Sequence, residues 1–109
     1  MAEQDYKDVT SKRRRVNDES LPTIRTKSNT LDLRGKNLMT AKQISVDFFA
    51  KKMSSKTVFL LHGHGEGGIL KTKIRDWLRS EKELVKSFAP ASSEDGGDAY
   101  TVVRLKSLF

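Results

Sequence analysis

The pattern of apolar and polar residues divides the chain at about residue 30. Residues 1–29 are rich in Ser, Thr, Asp, Lys and Arg and show neither a helical nor a strand period, which is typical of a disordered segment. Its basic run, 12–15, is interpreted as part of a solvated linker, with a localisation signal or a nucleic-acid arm as the alternative. The pattern predicts a disordered basic leader or linker over 1–29 and one folded domain over 30–109.

The first half of the domain predicts a strand, a helix and a second strand. Apolar–polar alternation over 30–33 is typical of a strand. A helix should begin at Thr40, where Gln43 stands at the spacing of a capping box, and its apolar face should reach Met53. The continuous apolar run 57–61 predicts a strand that is buried on both faces.

The second half of the domain predicts a further helix and two strands. Helical periodicity resumes with four apolar residues on one face, which are Leu70, Ile74, Trp77 and Leu78. A third strand is expected over 84–88, a polar loop over 90–98 and a fourth strand over 100–105. The order β-α-β-α-β-β predicts an α/β fold, a two-layer sandwich with two helices on a four-stranded mixed sheet.

Composition narrows the classes of protein to which the chain can belong. It has 109 residues, with 21 Lys and Arg against 14 Asp and Glu, and no cysteine. The net charge of +7 favours a polyanionic partner, and the lack of cysteine excludes disulfide scaffolds, Cys-based zinc sites and thiol catalysis. No apolar run approaches the ~20 residues of a membrane span, and the first residues lack the apolar core of a secretory signal. We expect a soluble intracellular protein with no membrane partner; its compartment stays open.

The junction between the strand 57–61 and the following helix is a glycine-rich loop, 62–68. Three of its glycines fit G-x-G-x-x-G, but the domain is too small for a dinucleotide-binding fold, and no Walker Gly-Lys-Ser/Thr follows. Glycines let backbone N–H groups approach a phosphate, and the helix N-terminus adds positive charge. His62 and His64 flank this place. The alternative is a tight turn that caps the helix, with His62 hydrogen-bonded to the backbone.

Two groups of charged residues could act beside this loop. Asp32 and Arg34 are two apart in the first strand and therefore face the same way. They could pair with each other, or Arg34 could bind a phosphate. The helix that follows the loop carries a basic stripe with the spacing i, i+4, i+8, i+11, and a further lysine lies beside its first turn. The stripe is either a solvated face or a surface that follows a phosphate backbone. The stripe is Lys71, Arg75, Arg79 and Lys82, and the further lysine is Lys73.

Three motifs in this order resemble the small MutS-related (Smr) domain family, over roughly residues 29–106. They are Leu31-Asp32-Leu33-Arg34-Gly35, His62-Gly63-His64-Gly65 and Gly96-Gly97-Asp98-Ala99. The resemblance implies a sandwich similar to the carboxy-terminal domain of translation initiation factor 3. The loop is one residue longer than in many members, and Ala99 stands where many have glycine, which puts the shape of the loop in question.

The resemblance also implies a function. Members bind nucleic acid, and several are nicking or RNA-cleaving endonucleases, in recombination control and DNA repair or in the rescue of stalled ribosomes. Some members follow a MutS-like ATPase region, so this chain could be one domain of a longer parent. The partners expected are DNA or RNA, which includes branched DNA, mRNA and ribosome-associated RNA. The alternative is a non-catalytic module that docks a larger protein on nucleic acid or on a ribosome.

Phosphodiester cleavage needs an activated nucleophile, stabilisation of added negative charge and protonation of the leaving oxygen. His62 is the candidate acid or base. Arg34 and the loop N–H groups could stabilise the charge, and Asp32 could orient Arg34 or His62, act as the base or bind a metal. The predicted catalytic residues are thus Asp32, Arg34 and His62, and the predicted nucleic-acid contacts are Gly63, His64, Gly65, Lys71, Lys73 and Arg75. No cofactor is required for RNA, and a divalent metal stays open for DNA.

Overall fold

The computed structural model describes residues 24–65 and 67–106. Its helices are α1 (Leu38–Lys51) and α2 (Ile69–Ser80), and its strands are β1 (Thr30–Asp32), β2 (Thr57–Leu61), β3 (Val85–Pro90) and β4 (Tyr100–Leu105). Short 3-10 turns occupy Met53–Ser55, Ser93–Asp95 and Gly97–Ala99. The predicted order of elements and the predicted α/β fold are confirmed. No helix among these described residues is long and apolar enough to cross a membrane.

The four strands form one mixed sheet in the order β1-β2-β4-β3. β1 runs parallel to β2, and β4 runs antiparallel to both β2 and β3. Because β1 and β2 are parallel neighbours, their carboxyl ends lie at the same edge of the sheet. The amino end of β4 also reaches this edge, since Tyr100 pairs with Leu61.

Both helices pack on one face of the sheet and enclose the core. Phe49 of α1 and Trp77 of α2 stack with their ring centroids 6.3 Å apart, which joins the two helices. The sheet contributes Val58, Leu60 and Val103, which are fully buried. Burial of each such side chain stabilises the fold by roughly 1.5–3 kcal/mol. The continuous apolar run of β2 is explained by its central place, since four of its five residues are buried.

Helix α1 begins two residues before the predicted start. The side chain of Asn37 accepts a hydrogen bond from the backbone N–H of Thr40 at 2.9 Å, so Asn37 is the N-cap and Thr40 lies inside the first turn. Asparagine is among the preferred N-cap residues, and here Asn37, not Thr40, caps the helix. The helix ends at Lys51, although the side chain of Met53 in the next turn still packs on the core.

The structure describes the last residues of the predicted leader, 24–29. They pack on the domain. Arg25 donates from its backbone N–H to Asp95 Oδ1 at 3.3 Å and from Nε to the Asp95 carbonyl at 2.8 Å. The carbonyl of Asn29 accepts from the N–H of Phe59 at 2.8 Å. These contacts place residues 24–29 with the folded unit. The prediction for the rest of the leader, including the basic run, lies outside the described residues.

Candidate functional site

The candidate site lies at the edge of the sheet where β1 and β2 end. Asp32, Leu61 and Tyr100 pair in a row across β1, β2 and β4 at this edge. The described part of the glycine loop leaves β2 here and leads to the amino end of α2, while the amino end of α1 follows β1. β1 and β2 are parallel neighbours, and their pairing brings both motifs to one end of the molecule.

Asp32 and Arg34 form a bidentate ion pair. Asp32 Oδ1 accepts from the backbone N–H and the Nε of Arg34, both at 3.0 Å, and Oδ2 accepts from Nη2 at 2.8 Å. These hydrogen bonds hold the pKa of Asp32 below and the pKa of Arg34 above their ordinary values. The two side chains are 52% and 62% exposed, so the pair adds little stability. Its effect is to fix the direction of an exposed guanidinium.

Arg34 packs against the glycine loop. A Cβ atom on Gly63 would lie 3.5 Å from Cγ and 3.6 Å from Cδ of Arg34, which is van der Waals contact. Gly63 has a φ of +74°, in the left-handed region that favours glycine. The turn after β2 thus brings the loop directly onto the aliphatic part of Arg34.

His62 is buried, and both of its ring nitrogens are hydrogen-bonded. Nδ1 lies 2.9 Å from the Gly63 carbonyl, and Nε2 lies 2.7 Å from Thr101 Oγ1. Thr101 Oγ1 also accepts from Arg75 Nε at 2.8 Å, so its own hydrogen is free for Nε2 of the histidine. In the neutral ring the proton is assigned to Nδ1, because the Gly63 carbonyl can only accept, and Nε2 then accepts from the Thr101 hydroxyl. Burial, with a residue exposure of 3%, lowers the pKa of His62.

Asp32 and His62 lie on opposite faces of the sheet. Asp32 pairs in register with Leu61, and the side chains of successive strand residues alternate between faces. His62 follows Leu61, and its ring contacts Thr101, which pairs with Leu60 on the helix-covered face. Of the two orienting roles expected of Asp32, the contacts fit the orientation of Arg34 and not that of His62.

Two of the predicted phosphate ligands on α2 are engaged by one carboxylate. Asp98 Oδ2 accepts from Lys71 Nζ, and Asp98 Oδ1 pairs with Arg75 Nη1 at 2.9 Å. The hydrogen bonds from Lys71, and then those from Arg75, lower the pKa of Asp98 to about 2. A Cβ on Gly68 would lie 3.3 Å from Lys71 Cε, so this lysine lies directly against the end of the loop.

The predicted basic stripe is shorter than its spacing suggested. Lys82 lies beyond the end of α2, and Arg79 pairs with Asp76 at 2.8 Å. Lys73 is exposed but lies about 200° around the helix from Lys71, because each residue turns an α-helix by about 100°. Only the first two members of the stripe face the loop.

The start of α2 offers backbone donors. Gly68 is its N-cap with a φ of 67°, and no side chain caps this end of the helix. N–H groups of an uncapped first turn are available to an anion. His64 and Gly65 precede this turn and are exposed. Within residues 24–65 and 67–106, no three His, Asp or Glu side chains form a group that could hold a metal ion.

Two contacts at this edge of the sheet were not predicted from the sequence. Thr101 links His62 to Arg75, and its signal is a polar residue in the apolar alternation of β4. Tyr100 is covered by Arg25, whose guanidinium carbon lies 4.2 Å from the ring centroid. Both contacts depend on β4 lying beside β2, which no local pattern reveals.

The chain is similar in sequence to known proteins. A family model described as "Smr domain" matches residues 31–106. A protein named Endonuclease MutS2 from Synechocystis sp. is 34% identical over 83 residues, which are 76% of this chain and 10% of that protein. A second protein of the same name, from Ligilactobacillus salivarius, is 39% identical over 82 residues, 72% of this chain and 10% of its own length. The chain spans about a tenth of these relatives.

Two solved structures are similar in fold. The crystal structure of the Smr domain of Thermus thermophilus MutS2 is 36% identical, with a TM-score of 0.64, and the match covers 72% of this chain and 98% of that one. The crystal structure of YdaL, a stand-alone small MutS-related protein from Escherichia coli, has a TM-score of 0.65 over 75% of this chain and 67% of that one. At 19% identity, the second match shows the fold alone.

Proposed function

Because the chain belongs to the Smr domain family, we propose that it binds the phosphodiester backbone of DNA or RNA and cleaves it as an endonuclease. The observation that carries this proposal is the position of Arg34. Its guanidinium is exposed and fixed by Asp32, and its aliphatic part lies against Gly63, so the side chain stands beside the glycine loop without needing to be ordered on binding. A planar guanidinium held in this way suits a phosphate oxygen.

The binding surface extends from Arg34 across the loop to α2. The N–H of Gly63 already donates to the Ala99 carbonyl at 3.0 Å, so the backbone N–H groups of His64 and Gly65, with the uncapped first turn of α2, are the donors proposed for one phosphate. Lys71 and Arg75 supply positive charge for a neighbouring phosphate, and Lys73, on another face of α2, reaches a more distant one. The positive charges of Arg34, Lys71 and Arg75 therefore suit a nucleic-acid backbone that crosses this edge of the sheet.

In the proposed reaction Arg34 stabilises the negative charge that develops on the phosphate, while Asp32 keeps the guanidinium in place. His62 is the proposed acid or base. Its Nε2 must first leave the Thr101 hydroxyl, because both ring nitrogens are engaged in the free protein. Substrate binding at the loop would have to open this contact.

The buried, fully hydrogen-bonded ring of His62 favours a second candidate, a docking module that binds nucleic acid without cleaving it. In that case His62 only fixes the loop, and Arg34 only holds a phosphate. The endonuclease and the docking module place the same residues around the two motifs. Only a measurement of cleavage therefore distinguishes them.

The experiment compares the parent chain with the double variant Arg34→Ala, His62→Ala, once in the presence of EDTA and once in the presence of Mg²⁺. The substrates are a labelled single-stranded RNA and a branched DNA. Cleavage of either substrate by the parent, and its loss in the double variant, supports the endonuclease. Salt-dependent binding with no cleavage, with or without Mg²⁺, supports the docking module, and no binding by the parent contradicts both candidates.

The biological context proposed here follows the relatives' name, Endonuclease MutS2. We place the domain in a longer parent that carries a MutS-like ATPase region and acts in recombination control or DNA repair. A preference for RNA over branched DNA in the cleavage experiment would favour rescue of stalled ribosomes instead.

A further inference from the structure

Asp98 neutralises the two cations of α2 that face the glycine loop. Each of its carboxylate oxygens has one partner, Lys71 Nζ on Oδ2 and Arg75 Nη1 on Oδ1. The Asp98 side chain is 45% exposed, so the carboxylate lies at the surface where a ligand could reach it. A carboxylate and a phosphate present the same kind of charged acceptor to lysine and arginine.

We propose that Asp98 occupies, in the free protein, the position of a backbone phosphate at Lys71, and that nucleic acid must displace it. Asp98 is then an internal competitor that sets the affinity of the domain. Lys71 lies against Gly68 at the end of the loop, so a phosphate bound in the loop would be within its reach. This inference rests on the proposed nucleic-acid binding and adds a residue that opposes it.

Lys71 and Arg75 differ in the partners that they have besides Asp98. Arg75 also donates from Nε to Thr101 Oγ1 at 2.8 Å and from Nη2 to the Tyr100 carbonyl at 3.3 Å. Lys71 pairs with Asp98 alone among the described residues. Arg75 therefore stays in place when the carboxylate leaves, and Lys71 is the cation that exchanges its partner.

The test is the Asp98→Asn variant, which keeps the size of the side chain and removes its charge. Asp76→Asn is the matched control, because it changes the net charge equally and also releases an arginine of α2. Binding of a labelled single-stranded RNA, with duplex DNA as a second probe, is measured against salt concentration. We expect Asp98→Asn to bind about two- to fivefold more tightly at low salt. Its salt slope should steepen by at most about 0.7 on the RNA and about 0.9 on the duplex, the value of one phosphate contact, because no freed carboxylate then takes up a cation.

The double variant Lys71→Ala, Asp98→Asn identifies the cation that is released. It should lose the gain of Asp98→Asn, because the competitor acts through Lys71. An equal gain in the presence and absence of Lys71 would overturn the inference, and so would the same slope change in Asp76→Asn. If Asp98→Asn does not fold, as judged by circular dichroism, Asp98→Ser takes its place with the same expected gain.

Failure here is distinguishable from failure of the proposed function. If the parent binds both probes and the Asp98 variants bind no more tightly, only the role of Asp98 is overturned. If neither the parent nor the Asp98 variants bind, nucleic-acid binding itself is wrong, and this inference is wrong with it.

Discussion

The Thr101 hydroxyl donates a hydrogen bond to Nε2 of His62 over 2.7 Å and accepts one from Arg75 Nε on its other side. This single side chain from β4 therefore connects the loop that follows β2 to helix α2. It fixes the ring of the histidine and holds the arginine against the sheet. The three residues are separate in sequence, and their contact stabilises the site edge as one unit.

Replacement of Thr101 with Val should destabilise the protein by about 1–3 kcal/mol, because two polar partners lose a bond in a buried place. The free energy of unfolding is measured by urea denaturation. Thr72→Val, an exposed position on α2, is the control and should change it by less than about 0.5 kcal/mol. Equal effects of the two variants would mean that the Thr101 hydroxyl is dispensable.

Stability should fall as the pH falls below about 6.5, the ordinary pKa of histidine. Burial lowers the pKa of His62 in the folded state, so below pH 6.5 the unfolded chain binds a proton that the folded protein does not. The free energy of unfolding therefore decreases with decreasing pH in this window and is constant above it. Asp98 acts in a lower window, where stability is lost as the pH falls from its ordinary pKa of 3.8 towards about 2.

Urea denaturation of the parent and of His62→Gln between about pH 5 and 7.5 tests whether His62 causes this loss of stability. The range lies around the ordinary histidine pKa of about 6.5. The variant should show a flatter dependence. An identical slope in both proteins would assign the effect to a group other than His62.

Gly96 should tolerate alanine much less well than its neighbour Gly97. A Cβ on Gly96 would lie 2.3 Å from Cε1 of the Tyr100 ring, whereas a Cβ on Gly97 meets no atom within 4 Å. Both residues have a positive φ, but the +68° of Gly97 lies in the left-handed α region and the +107° of Gly96 lies beyond it, so the backbone strain of alanine adds to the overlap at Gly96. Gly96→Ala should lower the free energy of unfolding by about 1–3 kcal/mol more than Gly97→Ala. Equal losses would show that the Tyr100 ring moves away freely.

The sequence predicted the elements well where a local pattern specified them. The uninterrupted apolar run of β2 and the alternation of β1 need no distant contact to be recognised, and their parallel pairing brings Asp32 and His62 to one edge. The start of α1 was predicted two residues late, because the capping-box spacing of Thr40 and Gln43 indicated a cap at Thr40, whereas the cap is Asn37. A cap depends on which side-chain oxygen reaches the free N–H groups, and spacing alone does not decide that.

The site was predicted less completely, because its key contacts join distant parts of the chain. β4 inserts between β2 and β3, and only this order brings Thr101 to His62 and Asp98 to Lys71. The helical spacing correctly placed Lys71 and Arg75 on one face, but it could not show that a carboxylate already holds both. The catalytic roles of Asp32, Arg34 and His62 stay predictions.

The single-turnover rate of RNA cleavage by Arg34→Ala, at saturating protein, tests the proposed role of this edge most directly. Arg79→Ala is the control, since Arg79 is also an exposed arginine paired with an aspartate. Arg34→Ala should lower the rate by about a hundredfold or more, as for loss of one group that stabilises transition-state charge, while binding weakens only a few-fold. Arg79→Ala should cleave like the parent. Cleavage by Arg34→Ala at the parental rate would contradict the account.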